Sequence, residues 1–296
     1  MQQIVECVPN FSEGRRQEVI DEILAGVTSV PGAHLLDVQS DGDHNRTVVT
    51  FVGGPEAVLE AAFQSARIAA GLIDMNQQRG EHPRMGATDV IPFIPVRGVS
   101  MDDCAQLARR LGQRLGQELD IPVYLYGQAA SRPERVNLPD VRRGEYEGIR
   151  DSIGSDPARD PDFGPLRLGS AGATAVGARA FLIAFNIYLN SDTVEIAKKI
   201  AKTVRHSSGG LRFVQAMGVV VDGQAQVSMN LTDFSRTPLH VVVELVRREA
   251  ARYGVLISHS ELVGLIPQQA LLDAATWYLQ LDGFKPDQVL ENRLGE

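Results

Sequence analysis

One loop of this sequence combines residue types that could transfer a proton. The run GEHPRMGATD covers residues 80–89 and contains a single imidazole, that of His82. Histidine has an unperturbed pKa of about 6.5, so it gives or takes a proton near neutral pH. A solvated loop whose histidine has no role is nevertheless the commoner case. The loop alone therefore leaves both alternatives open.

Other common catalytic patterns are missing from the sequence. Cys7 and Cys104 are far apart and form no C-x-x-C pair, and no H-x-x-x-H spacing occurs among the histidines. Gly169, Gly172 and Gly177 are spaced more loosely than the nucleotide-binding G-x-G-x-x-G, and no G-x-S-x-G is found. We therefore expect no metal site, no dinucleotide loop and no covalent serine or cysteine mechanism.

Composition limits the class of protein. The chain has 296 residues, a net charge of −8 and 6% aromatic residues. A nucleic-acid-binding domain usually carries a basic patch and a high pI, so nucleic acid is not the expected partner. No apolar run approaches the roughly 18 residues of a membrane span, and no signal peptide is visible at the N-terminus. We expect a cytoplasmic protein with reduced, buried thiols.

Hydrophobic periodicity in the first half predicts the order β-α-β-β-α-β. Strands are expected near 4–8, 33–38, 47–52 and 90–96. One helix is expected with its apolar face from Val19 to Val27, and another from Pro55. Ser12 or Asn10 is expected to cap the first helix. One more helix near 101–118, with a capping box from Ser100 to Asp103, and a strand near 121–126 complete the unit.

The second half repeats this order. Strands are expected near 181–189, 213–221, 225–231 and 255–259, with the hairpin turn at Asp222-Gly223. The fold class is therefore α/β (α+β), with two ferredoxin-like βαββαβ subdomains, each a mixed sheet with helices on its outer face. Residues 127–175 are too long for a simple loop, which leaves a linker or a functional segment as alternatives.

Seven blocks of unusual composition occur along the chain: CVPNFSEG (7–14), NRTVVTFVG (45–53), RGEHPRMGATDVIPFIPVRG (79–98), PVYLYG (122–127), DFGP (162–165), GARAFLIAFN (177–186) and LVGLIP (262–267). Together they resemble the formiminotransferase unit of formiminotransferase-cyclodeaminase, from residue 1 to about residue 280. The resemblance implies a stand-alone unit without the cyclodeaminase domain. It implies an N-terminal subdomain over 1–180, a C-terminal subdomain over 181–282 and a polar tail over 283–296.

The resemblance also implies an activity and a set of site residues. The family transfers a formimino group from N-formimino-L-glutamate to tetrahydrofolate, as part of histidine degradation, and it forms homodimers. Tetrahydrofolate is a co-substrate, and no metal is expected. The catalytic histidine of the family falls on His82. The segment expected to contact folate contains Phe163, Gly164, Pro165, Leu166, Arg167, Leu168, Gly169, Ser170, Ala171 and Gly172. This stretch is about one residue shorter than the mammalian pattern and lacks its tryptophan.

Substrates of this kind carry carboxylates, which arginine binds through paired hydrogen bonds. Arg79 and Arg84 lie in the loop, and Arg46, Arg97 and Arg179 are more remote candidates. A second group usually orients a catalytic base or binds the cationic amidine. The candidates for that role are Asn10, Asp37 and Asp89.

Two other functions remain open. The same scaffold and histidine could serve formyl transfer between 5-formyl-tetrahydrofolate and glutamate. A tandem ferredoxin-like binding module, for example for RNA, is the non-enzymatic alternative. Such a module needs exposed aromatic residues on a sheet face and basic flanks, which this sequence lacks.

Overall fold

A computed structural model describes residues 3–80 and 83–294. The chain divides into two compact units, Met1–Arg179 and Ala180–Glu296. Among the described residues, no helix is both long enough and apolar enough to cross a membrane. Cys7 and Cys104 are buried and carry free thiols.

The first unit contains seven strands and five α-helices within the described ranges. In chain order they are β1 (Ile4–Cys7), β2 (Asn10–Phe11), α1 (Gln17–Thr28), β3 (Ala33–Asp41), β4 (Arg46–Gly53), α2 (Pro55–Leu72), β5 (Thr88–Arg97), α3 (Met101–Glu118), β6 (Val123–Gly127), α4 (Leu138–Val141), α5 (Glu145–Ser152) and β7 (Thr174–Ala178).

The sheet of the first unit has a ferredoxin-like half and a parallel extension. β1 and β2 both lie between β4 and β5 and are antiparallel to them, and β3 pairs with β4 at the edge. On the other side of β5, β7 and then β6 pair in parallel. The predicted mixed sheet is confirmed. In the ferredoxin-like half the strands lie in the order β5-β1-β4-β3, which is the order of a βαββαβ unit.

The second unit repeats the ferredoxin-like order. Its elements are β8 (Ile183–Leu189), α6 (Val194–Val204), β9 (Val214–Val221), β10 (Gln224–Leu231), α7 (Leu239–Arg252), β11 (Ile257–Val263), α8 (Gln268–Leu279) and α9 (Leu290–Leu294). The strand order is β11-β8-β10-β9. Every pairing is antiparallel, so the expected mixed character holds only for the first sheet.

Alternation along the strands of the first sheet separates two apolar clusters. Val123, Leu125 and Val176 belong to the core shared with α1, α2 and α3. Tyr124 and Ala175 point to the opposite side and belong to a cluster with residues of α4 and α5. Because side chains alternate along a strand, α4 and α5 cover part of the face opposite the three long helices.

Two local predictions were wrong, and one strand was missed. The segment 127–175 contains α4, α5 and the first two residues of β7, a strand that was not predicted because its residues are mostly small. The last strand of the second unit begins at Ile257, two residues later than expected. Neither Ser12 nor Asn10 caps α1, since its N-cap is Arg16 without a side-chain cap.

The predicted capping box of α3 is confirmed. The Ser100 hydroxyl accepts the N–H of Asp103, and the Asp103 carboxylate accepts the N–H of Ser100. Ser100→Ala should lower the free energy of unfolding by about 1 kcal/mol, because one orphan helix donor loses its partner. Urea titration followed by circular dichroism measures the change. Gln106→Ala, at an exposed position of the same helix, is the control. An unchanged midpoint for Ser100→Ala would contradict the role of the cap.

Candidate functional site

The loop that precedes β5 is held at its entry by a hairpin turn. Glu81 and His82 lie outside the described residues, and the residues on both sides are described. Asn45 adopts a left-handed conformation, its Oδ1 accepts the N–H of Gly14 and its Nδ2 donates to the Arg79 carbonyl at 2.8 Å. A methyl group at Gly80 would lie 2.3 Å from the His44 carbonyl oxygen, so only glycine allows this approach.

The exit of the loop is held by backbone hydrogen bonds. Ala173 donates to the Met85 carbonyl at 2.9 Å, and Ala87 donates to the Ala171 carbonyl at 2.8 Å. The Ser12 hydroxyl donates to the Gly86 carbonyl at 2.7 Å. Ser12, which follows β2, and residues 171–173, which precede β7, therefore hold residues 85–87 from both sides.

Arg84 anchors the loop to α5. Its guanidinium is buried, with ion pairs to Glu145 at 3.1 Å and to Glu147 at 2.9 Å. Its Nε donates to Gln78 Oε1 at 2.8 Å. The Arg84 carbonyl also accepts the N–H of Tyr146 at 2.8 Å. The contacts of Arg84 within the described residues are thus with the protein itself, which favours a structural role for this arginine.

Asp89 is a buried carboxylate with a partner for each oxygen. Its Oδ1 accepts the N–H of Met85 at 3.0 Å, and its Oδ2 accepts a short hydrogen bond from Arg142. Burial raises the pKa of Asp89, while Arg142, the Met85 N–H and Arg46 oppose that shift. Because its oxygens already have these partners, Asp89 is suited to hold Arg142 and the loop exit in place.

Arg46 is a cation that lacks a close partner in the described ranges. It is the first residue of β4, opposite Asp41, and it is half-buried. Burial and the nearby Arg142 lower the pKa of Arg46, and Asp89 and Asp41 act in the opposite direction. Arginine stays protonated despite such shifts. The Arg46 charge is therefore partly withdrawn from water without a hydrogen bond or ion pair from residues 3–80 or 83–294.

The remaining candidates are placed differently. Asn10 lies in β2 and donates to the Val8 carbonyl at 3.2 Å. Asp37 lies in β3 opposite Thr50 and is half-buried. The guanidinium of Arg79 is exposed and donates to the carbonyls of Asn76 and Gln78.

The pairing of β2, β3 and β4 places three of the candidate site residues on one face of the first sheet. Asn10 pairs with Val48, which lies two residues from Arg46 and two from Thr50, the partner of Asp37. Since alternate residues share a face, Asn10, Asp37 and Arg46 lie on the same side of the first sheet.

The predicted folate segment divides into two parts. Phe163 and Gly164 pack against α3, where a methyl group at Gly116 would lie 2.6 Å from the Gly164 nitrogen. Pro165, Leu166 and Arg167 follow on the surface, where Arg167 pairs with Asp120. Leu168 packs against the apolar clusters, and Ser170 accepts the N–H of Met75 through its carbonyl. The structure brings Gly169–Gly172, and not Phe163–Arg167, to the loop before β5.

Several residues that hold the loop were not identified from the sequence. They are Asn45, Gln78, Arg142, Glu145 and Glu147. Arg142 is at the end of α4, 53 positions from its partner Asp89. No periodicity links residues so far apart. The only signal was the unusual density of arginine and acidic residues in the segment after β6.

The described residues offer no metal site, and a pocket of the first unit lies away from the charged residues. Among the described residues, no group of three or more histidine, cysteine, aspartate or glutamate side chains is placed to hold a metal ion. A pocket of about 290 Å³, lined by residues including Ile4, His34 and Gly53, lies at the end of β4 opposite to Arg46. That pocket is therefore remote from the charged residues described above.

The fold and the charged loop define a class: a protein of two ferredoxin-like α/β units with a polar site next to the loop before β5. Residues 4–179 match the N-terminal subdomain of the formiminotransferase domain, and residues 184–290 match the formiminotransferase domain. The chain belongs to the formiminotransferase family.

Relatives support the same assignment. A glutamate formimidoyltransferase of Thermoplasma acidophilum is 49% identical, with 98% of this chain and 97% of the relative covered. A glutamate formimidoyltransferase of Streptococcus pyogenes is 46% identical, with 99% of each chain covered. The formimidoyltransferase-cyclodeaminase of Rattus norvegicus is 53% identical over 94% of this chain, which spans 53% of that relative.

Glu13 connects β2 to the start of α1. Its buried carboxylate accepts the N–H groups of Arg15 and Arg16, both at 2.9 Å, and an ion pair from the Arg16 side chain. Burial acts to raise the pKa of Glu13, but these donors together lower it below its usual value. A carboxyl with a lowered folded-state pKa stabilises the fold above its unfolded pKa and loses that effect as pH falls.

Glu13→Gln should therefore lower the free energy of unfolding by about 1–3 kcal/mol at pH 7, because charge-assisted hydrogen bonds are lost. The difference from the parent protein should shrink as pH falls through the lowered pKa, where the parent carboxyl becomes protonated. Urea titrations between pH 7 and pH 3 measure it. Glu18→Gln, an exposed glutamate in α1, is the control. A deficit that is constant with pH would contradict the assignment.

Proposed function

We propose that this protein transfers the formimino group of N-formimino-L-glutamate to tetrahydrofolate, giving 5-formimino-tetrahydrofolate and L-glutamate, in the degradation of histidine. The observation that carries the proposal is that formiminotransferase models match both units, and that relatives of nearly equal length are named glutamate formimidoyltransferases. The reaction is a one-carbon transfer between two amines.

The chemistry requires one group that both accepts and donates a proton. N5 of tetrahydrofolate attacks the amidine carbon, a tetrahedral intermediate forms, and the C–N bond to the glutamate nitrogen breaks. The attacking nitrogen loses a proton and the leaving nitrogen gains one. An imidazole serves both steps because its pKa is near working pH. His82 is the residue proposed for this role.

The described residues around His82 support this proposal. The loop is bound to Asn45 on its N-terminal side and to Ala171, Ala173 and α5 on its C-terminal side. Catalytic groups need a support that holds them to a fraction of an ångström. These anchors fix the described residues on either side of residues 81 and 82, which is the kind of support that the proposed role requires.

Further parts of the proposal concern binding and assembly. Gly169–Gly172 is the part of the predicted folate segment that adjoins the loop, so it is the part we propose to contact folate. We also propose a cytoplasmic homodimer that needs no metal. The two buried free thiols agree with a reducing compartment.

The activity is tested by mixing the purified protein with tetrahydrofolate and N-formimino-L-glutamate. We expect a new folate absorbance together with an equal amount of free L-glutamate. The same assay with 5-formyl-tetrahydrofolate and glutamate tests the alternative donor. Turnover in that second assay alone would replace formimino transfer by formyl transfer, and a lack of turnover in both would contradict the proposed function.

His82→Ala should lower kcat by about 10²- to 10⁴-fold, because proton transfer by a positioned side chain contributes about this factor. Steady-state kinetics at pH 7 measure the change, and circular dichroism checks the fold. His206→Ala, which removes an exposed histidine of the second unit, is the matched control. A His82 variant with kcat within threefold of the parent protein would remove this residue from the mechanism.

A further inference from the structure

Two arginines and one buried aspartate form a charge cluster in the described part of the first unit. Arg142 pairs with Asp89, and the charge of Arg46 is close enough to both to be affected by them. Among the described residues the cluster therefore has two cations and one buried anion. The exposed carboxylate of Asp41, across the strand pair, also acts on the charge of Arg46. It forms no ion pair with Arg46 within the described residues and instead accepts the N–H of His44 at 2.8 Å and bonds to the His44 ring at 2.7 Å.

Both guanidinium groups of this cluster have hydrogen-bond donors without a protein partner in the described part of the chain. The Arg142 Nε is buried without a hydrogen bond. The Arg46 guanidinium has five donors and no hydrogen bond or ion pair within residues 3–80 and 83–294.

Such an arrangement is costly in a protein that binds nothing there. An unsatisfied buried polar group costs about 1–3 kcal/mol, and a charge withdrawn from water without a partner costs more. Core packing gives no reason to place two guanidinium groups beside one carboxylate. A ligand with a negative charge and two acceptor oxygens would use the free donors of both guanidinium groups.

We propose that Arg46 and Arg142 together bind a carboxylate of a glutamyl group, with Asp89 as the positioning residue that orients Arg142. Both guanidinium groups remain partly accessible, and the Arg142 side chain is 17% exposed. The inference rests on the proposed function for the identity of the substrates. Two glutamyl groups take part in that reaction: the donor N-formimino-L-glutamate and the tail of tetrahydrofolate.

Binding of L-glutamate, measured by isothermal titration calorimetry, tests the site without turnover. Arg46→Met and Arg142→Met should each weaken binding by about 10- to 100-fold, since each removes charge-assisted hydrogen bonds. Arg46→Lys, which keeps the charge but loses the paired donors, should give an intermediate affinity and should fold even if the methionine variant does not. Arg109→Met, at an exposed position of α3, controls for the loss of one positive charge.

Kinetics distinguish the two glutamyl groups. If the site takes the donor, the Arg46 and Arg142 variants raise KM for N-formimino-L-glutamate and leave KM for tetrahydrofolate unchanged. If it takes the folate tail, KM for tetrahydrofolate rises, and the variants match the parent protein when tetrahydropteroate, which lacks the tail, replaces tetrahydrofolate.

The proposal can fail independently of the proposed function. The carboxylate site would be overturned if the parent enzyme is active and the folded Arg46 variants keep both KM values within twofold. In that case the same variants would also bind L-glutamate or tetrahydrofolate as the parent protein does. An inactive parent protein that still binds L-glutamate through Arg46 and Arg142 would overturn the reaction and retain the site.

Discussion

The double anchoring of the loop before β5 is the constraint on which the site depends. The described residues of the loop have little secondary structure of their own, so their positions depend on partners far away in the sequence. Asn45 binds the entry of the loop, and residues 171–173 before β7 bind its exit. The chain between β6 and β7 must therefore be long, because it has to cross the sheet, supply α5 as an anchor and return beside β5.

The charges at the loop exit illustrate how a buried ion pair can serve function rather than stability. Burying a carboxylate and a guanidinium usually costs as much in lost hydration as the pair regains. Asp89 and Arg142 nevertheless form such a pair, with Arg46 as an additional cation. The pair holds Arg142 in one orientation, and Arg46 has no hydrogen bond or ion pair among the described residues.

The two units share a strand order but differ in what covers their sheets. The first sheet is extended by two parallel strands, and α4 and α5 cover part of the face opposite its long helices. The second sheet has only the four antiparallel strands of the repeat. The additional segment of the first unit carries Arg142, Glu145 and Glu147, so the difference between the units coincides with the candidate site.

Local patterns in the sequence were sufficient for most elements. The apolar stripes of α1 and α2, the Asp222-Gly223 turn and the Ser100–Asp103 capping box of α3 depend on neighbours within a few residues, and each was predicted correctly. β7 was missed because Thr174–Ala178 is composed of small residues, whose burial between β5 and β6 leaves no strong hydrophobic alternation. Blocks of unusual composition were enough to indicate the family.

Local sequence patterns do not show which side chains from distant segments contact one another in the folded protein. Arg84 and Asp89 were noticed as loop residues, yet only the folded chain shows that one is bound to α5 and the other to Arg142. The same holds for Arg46, whose importance comes from the absence of a close partner among the described residues. A side chain's charge and size are properties of the sequence, whereas its solvation and its neighbours arise only when distant segments pack together.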